Sequence, residues 1–174
     1  EEQDTDWAGG AVAKALAHPA TAAEWCLPLV APGGAVVLWI GESADLDTLA
    51  KARTPMSLSP YTEMRTGFGF PPILEMLAAG VPVSLSIDTT LLCGNCDMFA
   101  IMKAMQNVGD GAKPSEFGLP ARRVLQMATI DGARALGIGD RVGSIKAGKR
   151  ADFMLVRTRD LNMAPFTDPV HMIV

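Results

Sequence analysis

An α/β fold with a parallel sheet is predicted by three observations. Short apolar runs at 35–40, 55–59 and 81–87 have the length of buried strands. Segments with one apolar face alternate with those runs. Pro or Gly marks several of the junctions. Strands separated by helical crossovers re-enter the sheet in the same direction, whereas hairpin loops would reverse them.

The elements follow in order. Residues 1–34 carry no motif, and their Ala-rich pieces at 11–17 and 20–25 predict short helices. The run at 35–40 reads as a buried strand, and Ser43 is a candidate N-cap for a helix to residue 52. A second strand is predicted at 55–59. Pro71 and Pro72 stand where a helix can begin; Ile73, Met76 and Leu77 give it an apolar face, and Gly80 is placed to end it. The β-rich run 81–87 follows, then a helix over 97–107 in which Met98, Met102 and Met105 recur at helical spacing. A longer helix over 120–136 is closed by Gly137.

Composition narrows the function. A chain of 174 residues with 49% hydrophobic content can bury a core, and its length predicts one domain. A net charge of −4 without a basic stripe argues against nucleic acid or an anionic membrane as partner, and favours a small neutral substrate. The longest uncharged stretch, 25–41, is interrupted by Pro28, Pro32, Gly33 and Gly34, so no membrane span is expected. The acidic start Glu-Glu-Gln-Asp is opposite in sign to an export signal, and 3 cysteines do not suggest a disulfide framework. The cytoplasm is the expected compartment.

Four segments carry the chemistry. The stretch 124–156, VLQMATIDGARALGIGDRVGSIKAGKRADFMLV, reads as helix, turn and a short strand at 151–156. Ser86-Ile87-Asp88-Thr89-Thr90 puts a carboxylate just after an apolar strand. Residues 57–65 read Ser-Leu-Ser-Pro-Tyr-Thr-Glu-Met-Arg, and Asp97-Met98-Phe99 begins a helix. Together they resemble the metal-dependent amidohydrolase superfamily, in particular the branch of aminohydrolases and chlorohydrolases acting on purines, pyrimidines and s-triazines.

That resemblance implies a (β/α)8 TIM-type barrel, which needs about 250 residues. This chain would supply its C-terminal part. Residues 35–140 would hold the last three βα units and the helix after them, 141–174 would re-enter a small β-sandwich and end in a helix, and 1–34 stay unassigned. A small open α/β sheet with its own core is the alternative.

The resemblance also assigns roles. In a parallel barrel the C-terminal ends of the strands face the reaction. Asp88 matches the aspartate after the eighth strand, which binds a divalent metal, zinc or iron, and shuttles a proton between the metal-bound hydroxide and the leaving group. Ser59, Glu63, Arg65, Thr89 and Cys93 would line the substrate pocket. Many relatives read His-Asn-Pro-x-Ser-Asn in the loop after the seventh strand, and here Ser59 stands near that histidine. Glu63 and Arg65 have a plainer reading, pairing with each other or with solvent.

The expected reaction removes an amino, alkylamino or similar leaving group from an N-heteroaromatic ring. The departure lies in the other ligands. A metal site needs about three or four of them, and the only histidines are His18 and His171, both better read as structural or surface residues. The remaining ligands must lie outside this stretch, or the chain is a non-catalytic or truncated relative.

A further alternative is a small redox or zinc-binding domain built on Cys93 and Cys96, whose Cys-x-x-Cys spacing at a helix start favours a thiolate. Cys26 reads as a small buried residue. Gly148-Lys149-Arg150 lacks the glycine and hydroxyl spacing of a phosphate loop. A partial barrel leaves a strand edge and apolar helix faces uncovered, so self-association, including a homo-oligomer, is expected.

Overall fold

The structure is a computed structural model that describes residues 8–14, 18–39, 45–113, 117–160, 163 and 167–174. The proposed N-cap Ser43 lies outside the described residues. Two compact units divide the chain, Glu1–Asp45 and Leu46–Val174.

The first unit is a β-α-β crossover. Strand β1 (Ala8–Lys14) pairs in parallel with β2 (Val30–Trp39), and α1 (Pro19–Cys26) with a 3₁₀ turn (Leu27–Leu29) connects them. The register runs Gly10↔Ala35 to Lys14↔Trp39, with an irregularity between Ala8 and Gly10. Glycine is required at that irregularity: a Cβ on Gly34 would lie 2.3 Å from the Val30 Cγ1 and 2.8 Å from the Gly9 carbonyl oxygen. Ala22 and Cys26 of α1 are buried, with Ala13 and Val30 of the strands.

This corrects the helix expected at 11–17, since residues 11–14 belong to β1. The Gly9-Gly10 pair weakens a helix start, and a parallel partner along β2 outweighs a local preference worth less than about 1 kcal/mol per residue. The strand expected at 35–40 is the second half of β2, which begins at Val30.

In the second unit, α2 (Leu46–Lys51) leads to β3 (Met56–Leu58), then α3 (Pro60–Arg65), α4 (Ile73–Ala78) and β4 (Val83–Leu85). β3 and β4 are parallel, with Met56↔Val83, Ser57↔Ser84 and Leu58↔Leu85 opposed. The Met56 N–H donates to the Pro82 carbonyl at 2.8 Å and the Ser86 N–H to the Leu58 carbonyl at 2.9 Å, extending the pairing at both ends. Gly80, at φ +80°, turns the chain out of α4 as its position predicts.

After β4 come α5 (Thr90–Cys93) and α6 (Met98–Ala112). Asp97 caps α6, accepting from the Phe99 N–H at 2.9 Å. This helix runs past its expected end at 107. Its glycine there is used for packing, since a Cβ on Gly109 would meet the Leu119 Cβ at 2.6 Å.

The predicted helix over 120–136 is α7 (Ala121–Gln126), a π turn (Met127–Asp131) and α8 (Gly132–Ala135). Arg123 and Arg134 both pair with Asp131 at that turn. Leu58, Val83 and Leu85 of the strands pack with Ile73, Ile101, Met105, Val124 and Met127 in one core. The chain ends in α9 (Pro169–Ile173), capped by Asp168.

The turn at 139–150 is held by Lys149, whose ammonium donates to the Gly139 carbonyl, to the Val142 carbonyl at 3.1 Å and to the Ser144 hydroxyl at 2.8 Å. That task suits its exclusion as a phosphate ligand. Beyond it, residues 151–156 form no strand, contrary to expectation. A strand needs a hydrogen-bonded neighbour, and among the described residues none pairs with this segment. Phe153, Met154 and Leu155 stand exposed as a result.

Candidate functional site

The parallel register fixes which ends of β3 and β4 lie together. Their last paired residues, Leu58 and Leu85, are opposed, so the segments that follow leave the sheet at one end. Ser59, Glu63 and Arg65 come from the first of these segments, and Asp88, Thr89 and Cys93 from the second.

Asp88 lies three residues past the end of β4. Its backbone is left-handed, φ +59°, a conformation that aspartate adopts more readily than most residues. The Asp88 N–H donates to the Ser86 hydroxyl at 2.9 Å, which fixes the turn. The residue is exposed, and among the described residues its carboxylate has no ion-pair or hydrogen-bond partner. The strand end thus presents a carboxylate that has no structural task.

Glu63 has such a task. Ser59 is the N-cap residue of α3, and its N–H donates to the Glu63 Oε1 at 2.8 Å, so the side chain folds back on the start of its own helix. Burial pushes the Glu63 carboxyl above the ordinary carboxylate range; the Ser59 N–H pulls it back, and the negative charge of Asp88 adds to the rise. The pairing of Glu63 with Arg65 does not form, because Glu63 is committed to the backbone. Arg65 instead extends toward the other loop: a Cβ on Gly94 would lie 3.0 Å from the Arg65 Nη1.

Thr89 is a helix cap, its hydroxyl accepting from the Leu92 N–H at 3.3 Å. Cys93 is buried, and its thiol donates to the Asn95 carbonyl at 2.5 Å. Cys96 is exposed, and both thiols are free. Ser59 is buried at the helix start. Beside it, the buried Thr62 hydroxyl has no partner among the described residues. Thr62 and Ser86 are neighbours of the site that no sequence motif for catalysis singles out. The Ser-x-Asp spacing of a hydroxyl turn was the available signal for Ser86, and a threonine in the first turn of α3 gave none.

Neither histidine belongs to the two segments that carry the proposed site residues. His18 is exposed at the start of α1, where its carbonyl accepts from the Ala22 N–H at 2.9 Å. The His171 Nδ1 lies 3.2 Å from Asp168, whose carboxyl is held below its ordinary value by the His171 backbone N–H first and the imidazole second. A cleft of about 230 Å³ between His171, Gln106 and Asp110 includes none of the proposed site residues.

Among the described residues no three His, Cys, Asp or Glu side chains come together in a way that could hold a metal ion. One free carboxylate with a second, half-buried one beside it does not fit a complete zinc or iron site. Among the described residues no helix is long and apolar enough to cross a membrane.

The model of the amidohydrolase family matches residues 11–173. A 5-methylthioadenosine/S-adenosylhomocysteine deaminase from Desulforamulus reducens is 36% identical over 124 residues, which is 71% of this chain and 29% of that protein. A 5'-deoxyadenosine deaminase from Methanosarcina mazei is 34% identical over 137 residues, 78% of this chain and 31% of that one. The chain therefore spans about 30% of the length of the curated relatives it matches.

Among solved structures, an adenosine deaminase from Xanthomonas campestris with bound zinc superposes with a TM-score of 0.73 at 25% identity, covering 79% of this chain and 32% of that one. An atrazine chlorohydrolase from Arthrobacter aurescens complexed with zinc gives 0.71 at 25%, with the same coverage, 79% and 32%. The match to the family model covers nearly the whole sequence, and the chain belongs to the amidohydrolase family.

Proposed function

We propose that this chain is the C-terminal part of a hydrolase that removes an amino, alkylamino or similar group from an N-heteroaromatic ring, and that Asp88 is its proton-carrying carboxylate. The observation that carries the reading is Asp88 itself, an exposed carboxylate without a partner among the described residues, just past the end of a parallel strand. The names of the relatives support the substrate class, since they are deaminases of adenine nucleosides and a chlorohydrolase of a triazine.

In this reading β3 and β4 are the seventh and eighth strands of a barrel and β2 is the sixth. Residues 35–140 form the barrel portion, and 141–174 lead toward a β-sandwich. Asp88 contributes to a metal centre whose other ligands are not among the described residues.

The chain's own part in the reaction is proton transfer. A water attacks the electron-poor ring carbon and forms the C–O bond, and its proton passes to the Asp88 carboxylate. As the C–N bond breaks, Asp88 returns that proton to the departing nitrogen, so the carboxylate ends as it began. Ser86 holds the turn that carries Asp88, and Glu63 secures the start of α3. Thr89, Cys93 and Arg65 border the ring's position.

The test is release of ammonia, alkylamine or chloride from a panel of aminopurines, aminopyrimidines and s-triazines by the full-length protein that carries this chain. Turnover of at least one is expected. A folded protein that releases nothing from any of them would instead favour a relative without catalysis.

A further inference from the structure

Arg65 is the one cationic side chain in the two loops that carry the proposed site residues. It ends α3 and reaches across to α5, where its Nη1 lies 3.0 Å from the point a Gly94 Cβ would occupy. Gly94 itself is left-handed at φ +87° and closes α5. The guanidinium therefore rests on a turn that only glycine leaves open. Among the described residues it has no ion-pair or hydrogen-bond partner, and Arg65 is exposed. Its planar fork of donors is uncommitted among the described residues, and it lies over the Gly94 turn.

The same segments carry exposed apolar side chains. α3 begins one residue after β3, and α4 leads down to the start of β4, so residues 59–72 lie at the strand ends from which Asp88 also emerges. Phe68 and Phe70 in that segment are 70% and 76% exposed, and Leu91, two residues past Thr89, is 82% exposed. Exposed apolar groups in the same two segments as an unpaired arginine suit a flat ring that carries an electronegative oxygen.

We propose that Arg65 is a specificity-determining residue that selects N-heteroaromatic substrates bearing an exocyclic oxygen, a ring oxo group or a carboxylate, over those bearing none. This rests on the proposed function for placing a heterocycle at this end of the strands. Arg65 donates through its fork to the oxygen, while Phe68 and Leu91 remove the ring faces from water. Asp88 and Glu63, both carboxylates, cannot take that role, because neither donates when ionised.

The test compares guanine with 2-aminopurine, two purines with the same C2 amino group that differ in the 6-oxo group. Binding is read by the fluorescence of 2-aminopurine and by its displacement with guanine, and turnover by ammonia release, in the full-length protein. The wild type should favour guanine, and Arg65→Met should reduce that preference about 10- to 100-fold. Arg65→Lys, which keeps the charge and loses the fork, should retain part of it. Gly94→Ala, whose Cβ would displace the guanidinium, should lower the same ratio without removing Arg65.

No preference for guanine in the wild type, or a ratio changed less than about twofold by Arg65→Met, would overturn the proposal. Ammonia release with an unchanged ratio would overturn it alone. An Arg65-dependent binding preference without ammonia release would uphold it and remove the hydrolase reading instead.

Discussion

Glu63 links the start of a helix to the candidate site, and replacing it in two ways separates those roles. The Ser59 N–H donates to its Oε1 at 2.8 Å, and Ser59 is buried, so Glu63→Ala leaves a buried donor without its acceptor. The expected cost is about 1–2 kcal/mol. With a urea dependence of about 1.5 kcal/mol per molar, the unfolding midpoint should fall by about 1 M. Glu63→Gln keeps an acceptor oxygen and removes only the ionisation, so at neutral pH it should cost far less.

The pH dependence then has a definite sign. The folded carboxyl titrates above its ordinary value, chiefly because it is buried, and so the folded state holds the proton more tightly than the unfolded state. The stabilisation from that proton is complete below the unfolded pKa and is lost as pH rises through the folded one. Wild type measured against Glu63→Gln should therefore lose relative stability as pH rises through and above the ordinary carboxylate range. Urea unfolding followed by far-UV circular dichroism at several pH values reads both effects. A Glu63→Ala midpoint equal to that of wild type, or a gap to Glu63→Gln that does not move with pH, would refute the reasoning.

Three further outcomes follow from the structure. Met105 is 0% exposed at the centre of the core, so Met105→Ala should destabilise by about 2–5 kcal/mol in the same unfolding assay. Gly143 has φ +85°, and a Cβ there would lie 2.8 Å from the Ala133 Cβ and 2.9 Å from the Ile130 Cα; Gly143→Ala should cost more than about 2 kcal/mol, read as a lowered melting temperature. The exposed Phe153, Met154 and Leu155 predict that the 174-residue polypeptide self-associates in sedimentation velocity, and a monodisperse monomer would contradict that.

Much of the second unit was legible because local and tertiary preferences agree there. The apolar run at 81–87 contains β4, Asp97 caps α6, and Gly80 and Gly137 adopt the positive φ that ends a helix. The first unit was less legible: Ala11 and Ala13 prefer a helix, and only the distant partner β2 makes them a strand. The π turn at Met127–Asp131 hides in a regular helical pattern, because the arginine pairs that hold Asp131 are not a periodic signal.

In the candidate site, Asp88 could be read from its place after a strand. Arg65 could be named as a contact, but its seat on Gly94 depends on how α3 and α5 pack, which no spacing reveals. For residues 151–156 the apolar pattern of a strand is present, and the neighbour it would pair with is not among the described residues.

The proton-carrying role of Asp88 is tested most directly by Asp88→Asn in the full-length protein, with ammonia release measured on the best substrate of the panel. Asparagine keeps the shape and the turn, whose hydrogen bond comes from the backbone N–H, and removes the proton acceptor. A loss of kcat of about 100-fold or more with unchanged circular dichroism is expected. Turnover within a few-fold of wild type would show that the carboxylate does not carry the proton.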